Sequence, residues 1–140
     1  MNYSSKEHEM DRYGGSLKIE ISVGEVVDKA TILEIKTEKV KNRQKLENIK
    51  KEYALLLRAL QEIGISLSDD EFRHLKKINL RLWNIEDMIR IKEARQEFDS
   101  EFIELARKIY QENDERAKLK KAINLKFNSD LIEEKEYVDY

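Results

Sequence analysis

Cysteine and proline are absent from these 140 residues, and glycine occurs only four times. The missing thiols exclude disulfides, thiol catalysis and zinc-thiolate sites together, and they fit a reducing compartment, so a cytoplasmic location is expected. Without proline, and with so little glycine, long helices are interrupted at only a few points. No apolar run approaches the roughly 20 residues that span a bilayer, and the N-terminus has no apolar signal-peptide core, so a soluble protein is expected. An excess of one charge is lacking too, since 27 Lys and Arg stand against 29 Asp and Glu for a net charge of -2. That balance gives no global pull toward nucleic acid or an anionic membrane, and any such binding has to be local.

What is present is apolar and charged residues in equal measure, 40% each, the balance of long amphipathic helices. The length allows one core but not two independent ones. The expected fold is all-α, with helical hairpins forming a four-helix bundle-like or coiled-coil domain over residues 17–140 and a short N-terminal β-strand. Residues 1–16 lack periodicity and contain Gly14-Gly15, so a disordered tail is expected there. Leu17, Ile19, Ile21 and Val23 then alternate with Lys18, Glu20 and Ser22, the pattern of a half-buried strand. Its partner would be residues 136–140 or the same strand in a second subunit.

Ser22 and Glu25 form a capping box, with Ile21 and Val26 at hydrophobic-staple positions, which predicts a helix start. Val23, Val26, Ala30, Leu33, Thr37 and Val40 share one face of that helix, while Ile32 and Ile35 sit opposite beside Glu25 and Asp28. The apolar phase breaks at residues 41–45 and resumes in three-four spacing at Leu46, Ile49, Tyr53, Leu56, Leu60 and Ile63. A turn there gives a hairpin; without one, residues 23–63 form a rod of about 60 Å. The turn is the favoured reading. Gly64 suits a helix stop, and Ser68 with Glu71 repeats the capping box. A third helix is expected from about Asp69 to Gln96, with Phe72, Leu75, Ile78, Leu82, Ile85 and Ile89 inward and Trp83 at the edge. A fourth, capped by Asp99 or Ser100, turns Phe102, Leu105, Ala106, Ile109, Ile123 and Phe127 inward and ends at Asn128.

Several polar residues fall on these apolar stripes: Asn79 and Glu86 with Arg90 on the third helix, Asn113 and Arg116 on the fourth, and Asp28 on the first. One reading is structural, with Asp28 and Glu86 pairing with Arg90 and Arg116 to fix helix register. The other is a binding pocket in which both guanidinium groups hold a small anionic ligand, oriented by the amides and carboxylates. No catalytic residue, cofactor or metal site is expected. Glu71 and His74 have half of a di-iron spacing without its second half. Lys36, Lys39, Arg43 and Lys50 line a helix face that Glu38 and Glu47 interrupt, so nucleic-acid binding is not expected. The heptad from Leu46 to Ile63, with an unpartnered strand, favours a homodimer.

The stretches ISVGEVVDKATILEIK, LRLWNIEDMIR, FIELARKIYQENDERAKLKKAIN and EEKEYVDY resemble a family of bacterial and phage proteins of unknown function. The resemblance covers residues 18–140. Its pattern matches here at Gly24, Glu25, Asp28, Lys29, Thr31, Glu34, Lys36, Trp83, Glu86, Asp87, Arg90, Asn113, Asp114, Arg116, Glu133, Glu134, Lys135 and Tyr137. Members tend to lie among genes for glycosyltransferases and surface-polysaccharide synthesis, which implies a role there. The leading expectation is a non-enzymatic interaction or scaffold protein with a partner in glycan synthesis. The alternative is a small-molecule enzyme or sensor that binds an anionic ligand at an arginine-lined pocket within the bundle.

Overall fold

The computed structural model describes residues 15–140. Among them are four helices, α1 (Val23–Lys39), α2 (Arg43–Ile63), α3 (Asp70–Ala94) and α4 (Ser100–Lys126). No strand is present among the described residues. The strand expected at residues 17–23 does not form: Leu17 and Ile19 are 75% and 82% exposed, and residues 136–140 are irregular as well. A lone strand has no ladder to satisfy its backbone, and Val23 is instead taken into α1. The disordered tail expected at residues 1–16 lies outside the described residues except at Gly15 and Ser16.

Local signals set most boundaries. Ser22 Oγ accepts the Glu25 N–H at 3.2 Å, capping α1. The Glu25 carboxylate turns away from the reciprocal half of the box toward Lys120. Residues 40–42 break the helix, and Asn42 Oδ1 caps α2 from the Lys45 N–H at 3.0 Å. Residues 23–63 are therefore a hairpin and not a rod. Gly64 ends α2 in the left-handed region, φ 86°. The second capping box is displaced: Asp69, not Ser68, precedes α3, and its carboxylate accepts the Ser66 N–H at 2.8 Å. Asp99 caps α4 through the Phe102 N–H, and Asn128 takes φ 51° after it.

The packing departs from a closed four-helix bundle. Among the described residues α1 packs on all three other helices, α3 and α4 pack on each other, and α2 runs along α1 alone. The core joins Val26, Val27 and Ala30 of α1 to Leu60, Ile65, Phe72, Leu75 and Ile123. Leu60 is the one buried residue of α2, and the rest of its heptad is half-buried. The hydrogen bonds and ion pairs between α1 and the α3–α4 hairpin involve Lys76 and Asn79 on one side and Arg116, Lys120 and Asn124 on the other. These positions are close together along the hairpin, so α1 crosses it near its open end. The far end of the hairpin is closed by Lys92, which reaches Glu97, Asp99 and Glu101 at 3.3, 2.8 and 3.1 Å.

Candidate functional site

Asp28 faces the α3–α4 hairpin from the middle of α1 and is fully buried. A buried carboxylate needs charged or hydrogen-bonding partners. Arg116 supplies a fork, with Nε at 2.9 Å from Oδ1 and Nη2 at 2.5 Å from Oδ2. Asn79 Nδ2 donates to Asp28 Oδ1 and to Thr31 Oγ1, each at 2.9 Å. The Thr31 hydroxyl donates to the Asp28 carbonyl at 2.7 Å. Asn113 Oδ1 accepts a longer bond, 3.4 Å, from Arg116 Nη1.

One turn further along α4, Lys120 is buried between two carboxylates, Glu25 at 2.7 Å and Glu133 at 2.8 Å, with Asp28 at 3.9 Å. A further turn on, Asn124 Oδ1 accepts the Gly24 N–H at 2.6 Å, and Ser129 Oγ accepts the Val23 N–H at 3.1 Å. Residues distant in the chain thus satisfy amide groups that the first turn of a helix leaves without partners. Gly24 is required by this approach, since a Cβ there would lie 2.5 Å from the Lys120 carbonyl oxygen. Asn124 Nδ2 is buried and has no hydrogen-bond partner among the described residues; its orientation follows from the bond its carbonyl accepts from Gly24.

The electrostatics follow from this geometry. Hydrogen bonding to Asp28 raises the Arg116 pKa, outweighing burial. Burial pulls Lys120 down, but hydrogen bonds to Glu133 and Glu25 and the Asp28 charge leave it raised overall. The Lys120 hydrogen bond holds Glu133 below its ordinary value.

Of the residues singled out from sequence, Asp28, Asn79, Asn113 and Arg116 come together. Glu86 and Arg90 do not join them. They pair with each other at 3.5 Å on the surface of α3, 43% and 71% exposed. The reason is the crossing of α1, which reaches Asn79 but leaves the next turns of that stripe uncovered. The sequence places Glu25 beside Asp28 but not in the cluster, and Thr31, Lys120, Asn124 and Glu133 were not predicted as members of it. Arg116, Lys120 and Asn124 follow one another at four-residue spacing, a signal present in the sequence. Glu133, in an irregular segment, offers no periodic signal and stands out only through the family resemblance.

Residues 129–140 turn back along α4. Glu134 pairs with Lys121 at 3.0 Å, and the Tyr140 hydroxyl donates to Asp114. The Tyr140 ring meets Tyr110 edge-on at 5.1 Å. A cavity of about 850 Å³ lies between this segment and α4, and neither Arg90 nor Arg116 lines it. Among the described residues no group of His, Cys, Asp or Glu is placed to hold a metal ion, and Glu71 pairs with Lys126.

The sequence model of one protein family, described as a family of unknown function (DUF6165), matches residues 17–139. The chain belongs to DUF6165. No curated protein and no solved structure matches it. The DUF6165 match spans all four helices and every member of the buried cluster, from Glu25 to Glu133. No described helix of this DUF6165 chain is long and apolar enough to cross a membrane.

Proposed function

We propose that this DUF6165 chain is a non-enzymatic interaction protein, folded as one unit over residues 17–140, whose buried charge cluster is structural. The observation that carries this reading is the occupancy of Arg116: two of its nitrogens are committed to Asp28 and a third faces Asn113. A pocket for an anion needs guanidinium N–H groups aimed at open space. Arg90, its expected partner, sits on the surface beside Glu86. Exposed apolar side chains at Met88, Ile91, Phe98 and Ile103, toward the far end of the α3–α4 hairpin, support a role in contacts with other proteins.

The half-buried heptad of α2 supports a homodimer, since among the described residues that helix lies along α1 alone. The resemblance to proteins that lie among glycosyltransferase and surface-polysaccharide genes supports a cytoplasmic role beside glycan-synthesis enzymes. A thermal-shift screen with phosphorylated sugars and small carboxylates tests the reading, and the expected result is no stabilisation. A compound that raises the melting temperature of the wild-type chain, but not of Arg116→Lys, would overturn it in favour of an anion-binding enzyme or sensor.

A further inference from the structure

Residues 129–140 lie outside the helical core, yet contacts hold them along its surface. Ser129 anchors the segment, its hydroxyl accepting from Val23 and donating to the Leu131 carbonyl. From there Glu133 meets Lys120, Glu134 meets Lys121, and Tyr140 meets Asp114 and Tyr110. From the two glutamates to Tyr140 the segment runs back along α4, from Lys120 and Lys121 to Asp114.

The fit is loose. From Lys120 to Asp114 the helix rises about 9 Å, whereas an extended chain from Glu133 to Tyr140 can span about 23 Å. Between segment and helix lies the open 850 Å³ cavity, lined by Glu115 and Lys118 on the helix and by Lys135, Tyr137 and Asp139 on the returning segment. Tyr137, Val138 and Tyr140 are 61%, 89% and 78% exposed. Beyond Leu131 and Ile132, which are 43% and 39% exposed, little apolar surface of the segment is buried, and its polar contacts include partly exposed ion pairs, the kind that salt weakens and competitors exchange.

We propose that the α4 face from Tyr110 to Lys121 is a recognition surface for an extended, acidic, tyrosine-bearing protein segment, and that residues 129–140 occupy it as a displaceable internal ligand. The inference rests on the reading of this chain as an interaction protein. Charge complementarity supports it: Lys120 and Lys121 receive successive glutamates, and Asp114 with Tyr110 receives a tyrosine. A tethered segment acts at an effective concentration of about millimolar, so weak contacts keep it seated and a better-fitting segment displaces it. The cavity is the volume that a better fit would fill. Displacement of the part beyond Ser129 leaves α1 seated, because Ser129 keeps the Val23 N–H and Lys120 keeps Glu25 when it exchanges Glu133.

The test uses the full chain and the variant Glu134→Lys/Tyr140→Ala, which loosens the returning segment but retains Glu133 and Lys120. The probe is a fluorescently labelled peptide of residues 129–140, followed by anisotropy. The expected result is binding at least about tenfold tighter to the variant than to the wild-type chain, weakened by salt and by a further Lys121→Glu change. A scrambled peptide of the same composition should bind more weakly. Equal binding to both proteins, equal binding of the scrambled peptide, or no binding to a variant that keeps its helical circular dichroism would each overturn the proposal. A wild-type dimer that the peptide splits would also overturn it, by showing that a second copy supplies the segment. Loss of peptide binding alone leaves the interaction reading intact, whereas stabilisation of the wild-type chain by sugar phosphates counts against that reading itself.

Discussion

Replacing Arg116 with alanine separates a structural ion pair from a surface one. Asp28 is 0% exposed, while the Arg116 side chain is 28% exposed. Arg116→Ala removes donors at 2.9 and 2.5 Å and leaves the carboxylate with Asn79 at 2.9 Å and Lys120 at 3.9 Å. Stripping the partner from a buried charge costs about 3–5 kcal/mol. Access of water through the vacated guanidinium site, together with the two remaining partners, favours the lower end, about 3 kcal/mol. At roughly 3–5 °C per kcal/mol for a chain of this size, the melting temperature should fall by about 9–15 °C. Asp28→Asn should cost less, because the orphaned guanidinium can turn toward solvent whereas the orphaned carboxylate cannot. Urea unfolding followed by circular dichroism, on both single variants and the double variant, measures the costs and their coupling. The reasoning fails if Arg116→Ala costs less than about 1 kcal/mol, the value of an exposed pair, or if Asp28→Asn is the more harmful change.

Gly24→Ala should destabilise by about 1–3 kcal/mol despite the better helix propensity of alanine, since the new methyl meets Lys120 backbone at 2.5 Å. A stabilised variant in thermal melts would show that α1 and α4 separate freely. Leu60→Ala should cost about 2–5 kcal/mol and raise amide exchange in α2 above that in α3, because Leu60 is the only fully buried anchor of α2; uniform exchange would contradict this. The attachment of residues 129–140 should be firm near neutral pH and loosen at both extremes. Glu133 is held below its ordinary 4.5, so its contribution is present above that value and is lost as pH falls through the lower folded value. Lys120 is raised above 10.5, so its contribution is complete below that value and fades as pH rises through the higher one. Tyr140, pushed up to about 12 by its bond to Asp114, should keep that contact until pH climbs from 10 toward 12. Tyrosine fluorescence across a titration measures this, and a transition near neutrality would refute the assignment.

The helices and most of their ends were legible because their signals are local: Ser22, Gly64 and Asp99 each act within a few residues, and for the start of α2 only the break at residues 41–45 was legible, not the Asn42 cap. The stripes of α3 and α4 were legible for the same reason, and they correctly turned Asn79 and Arg116 toward α1. Periodicity gives the face of a helix but not how far along it a neighbour reaches, which is why Glu86 and Arg90 were wrongly drawn inward. The strand failed on a related ground. Alternation at Leu17, Ile19 and Ile21 describes a surface that could be half-buried, and nothing packs on it. Lys120 was hidden because a lysine on α4 reads as solvated until Glu25 and Glu133 are brought to it from opposite ends of the chain.

These contacts make α1 the element through which the others communicate. Among the described residues α2 runs along α1 alone, so its attachment to α3 and α4 depends on the seat of α1 on the hairpin and on the core that Leu60 shares with Phe72 and Leu75. Apolar burial at Val27 and Ala30 supplies much of that seat, but apolar packing tolerates sliding, and the polar contacts do not. Gly24 against Asn124, Asp28 against Arg116 and Thr31 against Asn79 fix one register and one crossing, since a shift of a single residue would bury Asp28 without its partners. The buried charges therefore contribute more to the uniqueness of the arrangement than to its net stability, in line with the small net gain expected of a desolvated pair. The same seat reaches the segment 129–140 at one point. Lys120 is aligned from one side by Glu25 on α1, and this sets where Glu133 meets α4.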